Sequence, residues 1–160
     1  MSTSPDGPDV QGVDTDAQIL NNEFLAGSIV GIQVAHGHPR IEGNTFRPGC
    51  GTTYGAISGR NTNSLPVVRS NVFLNDLAIL ITAGNMDLAV VLDQGFNDFQ
   101  GVTGVSIQHD GPADVSAIGN YWPNDPPIFG VDIIINGAGS VTATTVPVRQ
   151  VSVGELKARS

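Results

Sequence analysis

Short runs of alternating apolar and polar residues recur along the whole chain, and turn-forming residues separate them. Such period-two alternation, filled with β-branched residues, is typical of half-buried β-strands. One set of runs follows a Gly or an Ala and a second set precedes an Asn or a Gln, as in Gly31-Ile32-Gln33-Val34 and Pro39-Arg40-Ile41. A helical period over two or more turns is absent, except in the last dozen residues. The pattern predicts an all-β chain of short strands and turns.

A second pattern keeps step with the strands, namely Asn, any residue, then a large aromatic residue. We align its five copies at Asn22-Glu23-Phe24, Asn44-Thr45-Phe46, Asn71-Val72-Phe73, Gln94-Gly95-Phe96 and Asn120-Tyr121-Trp122. This alignment predicts a stack of Phe24, Phe46, Phe73, Phe96 and Trp122 inside the molecule. It also predicts a ladder of asparagines at a tight turn, with a local irregularity at Gln94.

The intervals between the copies, 22 to 27 residues, define the fold class. Each coil would hold two or three short strands, and coils would stack about 4.8 Å apart. We therefore predict a right-handed parallel β-helix (solenoid) of about five coils. Left-handed β-helices need about 18 residues per coil, and leucine-rich repeats need a Leu pattern that this chain lacks.

The repeat also suggests a division of the chain. Residues 1–16 are rich in Pro, Asp and Ser and are expected to be flexible. Residues 17–148 would form the β-helix, and residues 149–160 a C-terminal strand and cap. Because the first coil is incomplete, we expect either a fragment of a longer β-helix or a second subunit that covers the open edge.

Charge and composition narrow the function classes. The net charge is −8, with a single lysine, so a basic nucleic-acid footprint is missing. No apolar run approaches the ~20 residues of a membrane helix, so we expect no membrane insertion. One cysteine and the absence of a signal peptide at 1–6 leave the compartment open. Between the cytosol and export, we favour an exported or extracellular bacterial protein.

The segments Ile41-Glu42-Gly43-Asn44-Thr45-Phe46 and Val68-Arg69-Ser70-Asn71-Val72-Phe73 resemble the parallel β-helix repeat of the pectin-lyase-like superfamily. The likeness spans roughly residues 19–148 and is closest to uncharacterised bacterial β-helix repeat proteins. It implies a fold rather than an activity, because this superfamily includes polysaccharide lyases, glycoside hydrolases, epimerases, tailspikes and adhesins. The Gly-His of the hydrolase branch is present at Gly37-His38, but the paired Asp residues are not.

Three Asn-Asp pairs follow the aromatic positions, and their carboxylates are Asp76, Asp98 and Asp125. If these side chains stacked in successive coils, a hard cation with oxygen ligands would relieve their repulsion. They are the candidate calcium ligands, and solvated Asn-Asp turns are the alternative. We expect no other cofactor.

The opposite turn brings together the candidates for catalysis. His36, Arg60, His109 and Asp110 fall near one column, where His and Asp could act as a base and Arg could hold a uronic-acid carboxylate. Tyr121 is the candidate sugar-binding side chain. Ordinary polar turns are the alternative interpretation. If the chain is an enzyme, we expect polysaccharide-lyase-like chemistry.

An outward apolar column is expected at Val67, Val90, Leu92 and Ile118. Exposed apolar patches mark interfaces, so these residues predict a homo-oligomer. Three hypotheses follow. The first is a non-catalytic β-helix module with a structural, surface-attachment or glycan-contacting role. The others are a carbohydrate-active enzyme acting on acidic polysaccharide and a homo-oligomeric assembly or appendage subunit.

Overall fold

A computed structural model describes residues 8–12, 16–90 and 92–145. Every regular element in these ranges is a β-strand, and none of their segments is a helix that could span a membrane. The strands are β1 (Pro8–Gly12), β2 (Gln18–Leu20), β3 (Glu23–Phe24), β4 (Val30–Val34), β5 (Arg40–Glu42), β6 (Thr45–Phe46), β7 (Ile57–Gly59), β8 (Val67–Arg69), β9 (Val72–Phe73), β10 (Leu77–Ile81), β11 (Val105–His109), β12 (Val115–Asn120), β13 (Ile133–Ile135) and β14 (Val141–Thr145).

The strands pair in parallel with their equivalents in the next coil. The six-stranded sheet runs β1-β4-β7-β10-β11-β13, and two three-stranded sheets run β2-β5-β8 and β3-β6-β9. The pair β12-β14 continues the stacking in the last coils. The chain is therefore a parallel β-solenoid of about five turns, which confirms the predicted fold class.

The core lies between these sheets, and it is built from columns of equivalent residues. Ile32, Ile57, Ile79, Ile107 and Ile133 are in register across the six-stranded sheet, and all five are fully buried. The β-branched side chain suits this position because it packs well on a pleated surface. One column thus supplies an identical contact in every coil.

The predicted asparagine ladder is present, and it is more regular than the sequence alignment indicated. It comprises Asn22, Asn44, Asn71, Asn97 and Asn120. The side-chain amide of each asparagine donates to the Oδ1 of the next one at 3.0 to 3.1 Å, and its main-chain N–H donates to the same oxygen at 2.8 to 3.1 Å. The fourth member is Asn97, so the placement of Gln94 in the ladder was wrong.

The aromatic stack shows the same correction. Ring centroids are 4.8 to 5.0 Å apart along the series Phe24, Phe46, Phe73, Phe99 and Trp122. Phe96, which we placed in this stack, is instead 45 % exposed and has a φ of 50°.

Close packing at Gly95 accounts for this shift of three residues. A Cβ atom there would lie 2.2 Å from both the Leu88 carbonyl oxygen and Asn120 Oδ1. Only glycine fits at position 95. The next Asn-x-Phe motif, Asn97-Asp98-Phe99, therefore supplies the ladder asparagine and the stacked ring of this coil.

The terminal segments bear on the proposed division of the chain. Strand β1 lies inside the segment that we expected to be flexible, and it pairs with β4 from Pro8↔Val30 to Gly12↔Val34. The predicted strand and cap at 149–160 lie outside the described residues. The boundaries at 16 and 148 remain predictions.

Candidate functional site

The outer side of the six-stranded sheet carries two rows of side chains, which we call the polar face. The first row is in register and reads Gln33, Ser58, Leu80, Gln108 and Ile134. The second row is formed by the residue that follows the C-terminal end of each strand, and it reads Ala35, Arg60, Thr82, Asp110 and Asn136. Alternate residues along an extended chain point to the same side of its sheet, so both rows lie on the outer side, where Ser58 and Leu80 are nevertheless buried. Unlike the core columns, these rows hold a different residue in almost every coil.

A shallow groove of about 530 Å³ crosses the polar face near its first coils. Gln33, Ala35, Arg60, Asn61 and Thr82 line it. These side chains offer amide, guanidinium and hydroxyl groups, which donate and accept hydrogen bonds. The lining contains no carboxylate and no imidazole.

Two neighbours hold the Arg60 guanidinium in this groove. It lies over the Tyr54 ring, 4.8 Å from the ring centroid, in a cation–π contact. With the Gln33 amide turned so that its oxygen faces Arg60, that oxygen accepts from Nη1 at 2.7 Å and from Nε at 3.2 Å. These two contacts do not use all five N–H donors of the Arg60 guanidinium, so the remaining donors can bind a ligand.

Asp110 lies on the same face, and amide groups surround it. Gln108 donates to both carboxylate oxygens, at 3.0 and 3.2 Å, and Asn136 donates to Oδ1 at 2.8 Å. Strand β10 separates the strands of Arg60 and Asp110, so their backbones lie about 10 Å apart. The face thus carries a cationic and an anionic position, two strands apart.

The four candidate catalytic residues do not form one site. His109 belongs to the inner column of β11 and is fully buried, with Nε2 lying 2.6 Å from the Ala113 carbonyl oxygen. Its Nδ1 is buried and has no hydrogen-bond partner among the described residues. Asp110 follows it on the outer side, so a His109–Asp110 pair does not assemble. His36 is half-buried in the bend after β4, and only Arg60 lines the groove.

The three candidate calcium ligands occupy different positions in their coils. Asp98 lies on a strand position bridged to Val72 and Tyr121, whereas Asp76 lies in a turn, where its main chain contacts Gly104 and Val105. The Asp76 carboxylate accepts a hydrogen bond from Thr103 Oγ1, and Asp98 Oδ1 accepts one from the Gln100 main chain at 2.9 Å. Asp125 lies in the loop between β12 and β13, before Pro126.

These positions do not align as the sequence pattern suggested, because Asn97-Asp98 belongs to the ladder rather than to the following turn. The described part of the chain has no group of three or more His, Cys, Asp or Glu side chains placed to hold a metal ion.

The remaining candidates are surface residues. Tyr121 is 40 % exposed beside Asp98, away from the groove. Of the predicted outward apolar column, Val90 and Leu92 are exposed, and Val67 and Ile118 are half-buried.

Sequence reasoning did not single out Gln33, Asn61 or Thr82 for the groove. The usable signal was period two: once Ile32 and Val34 are assigned to the core, Gln33 and Ala35 face outward. The contact of Tyr54 with Arg60 could not be predicted in this way, because it depends on a turn of irregular length.

Comparison with protein-family models, with curated protein sequences and with solved structures finds no match for this chain.

Proposed function

We propose that this chain is a non-catalytic β-solenoid module that binds a polysaccharide on its polar face. One observation carries the proposal: the groove offers Arg60, two amides and a hydroxyl, and its lining has no side chain suited to proton transfer. Arginine stays protonated in proteins, so it binds and orients without acting as a general acid or base.

The chemistry of the groove fits sugar hydroxyl groups. Each hydroxyl both donates and accepts a hydrogen bond, and so do the side chains of Gln33, Asn61 and Thr82. The remaining donors of Arg60 suit a carboxylate or sulfate substituent, to which guanidinium binds with two parallel hydrogen bonds. The likeness of the repeat to the pectin-lyase-like superfamily supports the same ligand class, and export to a bacterial surface would bring the module to it.

Shape and rigidity also support binding. The groove lies at the C-terminal ends of the parallel strands β4, β7 and β10, and its central guanidinium is held by Tyr54 and Gln33. A site whose side chains are fixed before binding loses less conformational entropy when the ligand arrives. The groove is open, so a long polymer can lie along it.

The test is a binding measurement on immobilised polysaccharides. Polygalacturonate and alginate represent acidic chains, and xylan and dextran represent neutral ones. Arg60→Ala should abolish retention of the chain on the polysaccharide that binds the wild type. Arg40→Ala is the matched control, because Arg40 is an exposed arginine on another sheet, paired with Glu42 at 2.5 Å.

Three outcomes would contradict the proposal. They are no retention on any of the four polysaccharides, equal retention of wild type and Arg60→Ala, and equal losses in both variants. Release of shortened sugar products by the wild type would contradict the non-catalytic part alone.

A further inference from the structure

The second row of the polar face continues the hydrogen-bond ladder of the six-stranded sheet beyond the strand ends. In four successive coils, the main-chain N–H of the row residue donates to the last residue of the preceding coil's strand, at 2.8 to 3.2 Å. The four row residues are Arg60, Thr82, Asp110 and Asn136. They are therefore spaced like neighbouring strands, about 4.8 Å apart, in a line along the solenoid axis.

The groove runs in the same direction as this line. Its lining comes from three successive coils, namely Gln33 and Ala35, then Arg60 and Asn61, then Thr82. The next row position is the half-buried Asp110, one strand spacing beyond Thr82. An extended chain of sugar rings advances per sugar by a length close to this spacing, so a polysaccharide in the groove places about one sugar on each coil. A sugar whose acidic group is bound by Arg60 then has its second neighbour at Asp110.

The Asp110 carboxylate is oriented but not neutralised. The donors that hold it, the side chains of Gln108 and Asn136, are amides and carry no charge. None of the described arginine and histidine side chains forms an ion pair with it. Asp110 therefore presents a negative charge at a set position on the polar face, two strands from the positive charge of Arg60.

We infer that Asp110 determines which acidic polysaccharides the groove accepts, an inference that rests on the proposed function. A polyuronate carries a carboxylate on every sugar. When Arg60 binds one of them, another lies two sugars along, at Asp110, and the like charges repel. A neutral sugar at that position avoids the repulsion, and its hydroxyl can donate to Oδ2, which accepts only from Gln108. The ligand class is therefore a polysaccharide whose acidic sugars are separated by neutral ones.

A series of galacturonate polymers tests this inference, because its members share one backbone and differ in their number of free carboxylates. The three probes are polygalacturonate and its partly and fully methyl-esterified forms. Each is titrated into the full chain by isothermal titration calorimetry at one salt concentration, since salt screens charges. The wild type should bind the partly esterified polymer most tightly. The unesterified polymer brings a carboxylate to Asp110, and the fully esterified one offers no carboxylate to Arg60.

The substitution Asp110→Asn removes the charge and keeps the size of the side chain. It should raise the affinity for polygalacturonate about three- to tenfold, so that this polymer binds at least as tightly as the partly esterified one. Asp114→Asn is the matched control, because it removes the same charge from the connection between β11 and β12, outside both rows of the polar face. Asp114 is exposed and accepts from Ser140 at 2.7 and 2.9 Å. This control should leave the order of the three polymers unchanged.

The outcomes separate this inference from the proposed function. Wild-type affinity that rises steadily with the number of free carboxylates would overturn the inference, and so would an Asp110→Asn variant that behaves like Asp114→Asn. In both cases, a loss of binding in Arg60→Ala would still support a polysaccharide site. No binding of any of the three polymers would also overturn the inference, and retention on alginate, xylan or dextran would then decide whether the proposed function stands. Circular dichroism melting checks that each variant is folded.

Discussion

The Asn-aromatic corner lies next to the turn closed by the antiparallel Val90–Asp93 bridge, which we call the 90–94 hairpin and in which residue 91 is not described. The two regions are stabilised in opposite ways. At the corner, groups are buried and each finds its partner in the coil before or after it, so the same contact occurs in every turn. The hairpin is exposed and has no counterpart in the other coils that the structure describes, and one arginine, Arg69, holds it. Repeated contacts define the fold, whereas a single clamp lets one coil carry a surface feature that the others lack.

The largest expected difference between the two regions concerns Phe99 and Phe96. Phe99→Ala should lower the free energy of unfolding by about 3–5 kcal/mol, because it leaves a cavity between Phe73 and Trp122. Phe96→Ala should change it by less than about 1 kcal/mol, as is usual for an exposed position. Urea unfolding of both variants measures this. The reverse order would restore Phe96 to the stack and overturn the register of the fourth coil.

A smaller loss is expected when one member of the ladder is removed. Asn71→Ala deprives the buried Asn44 N–H of its acceptor and the Ile41 and Arg69 carbonyls of a donor. The Arg69 carbonyl still accepts from the Gly43 N–H, so the main cost is the unpaired Asn44 N–H, and we expect a loss of about 2–3 kcal/mol.

Asn22→Ala, at the open end of the ladder, is the control for this substitution. Asn22 is half-buried, and we expect its loss to cost about 1 kcal/mol. Equal losses at the two positions, measured by urea unfolding, would show that burial within the ladder does not add to its stability.

The smallest predicted effect belongs to the hairpin and depends on pH. The hydrogen bond from Arg69 holds the pKa of Asp93 below its usual value. The folded state therefore resists protonation more than the unfolded chain, whose Asp pKa is about 3.9. The stabilising contribution is present above about pH 4 and is lost as the pH falls further. Asp93 is well exposed, so this contribution should stay below about 1 kcal/mol.

Urea unfolding of wild type and Asp93→Asn at pH 7 and pH 3 checks this prediction. The wild type should be the more stable protein at pH 7, and the difference should shrink at pH 3. A difference that is the same at both pH values would exclude the Arg69–Asp93 ion pair as its origin.

The sequence was sufficient for the repeating parts of the molecule. Period-two runs and the recurring Asn-x-aromatic motif predicted the solenoid, the stack and the ladder, because each copy of the motif has the same surroundings. The prediction was wrong in the fourth coil, where Gln94-Gly95-Phe96 and Asn97-Asp98-Phe99 stand three residues apart and both fit the pattern. Because all the remaining ladder positions hold asparagine, the sequence itself favours Asn97-Asp98-Phe99. The close contacts around Gly95 support the same assignment.

The candidate site was harder to predict, for a physical reason. Turn lengths differ from coil to coil, and nothing in an alternating pattern shows which turn residues meet in space. The alignment of the three candidate calcium ligands depended on the same misassignment in the fourth coil. Asn97 belongs to the ladder, so Asp98 lies beside it and not in the turn that holds Asp76. His109 looked like a polar turn residue, but the strand register places it in the core.

The uniform direction of the asparagine ladder makes the coil an exchangeable unit of length. Each inner asparagine of the ladder, namely Asn44, Asn71 and Asn97, donates to the next and accepts from the one before, so each inner coil has the same donor at one edge and the same acceptor at the other. Excision of the 26 residues from one asparagine to the next, as between Asn71 and Asn97, would rejoin equivalent partners. Duplication would do the same. Such a protein can become longer or shorter in evolution by whole coils, and the new neighbours form the same hydrogen bonds as the old ones.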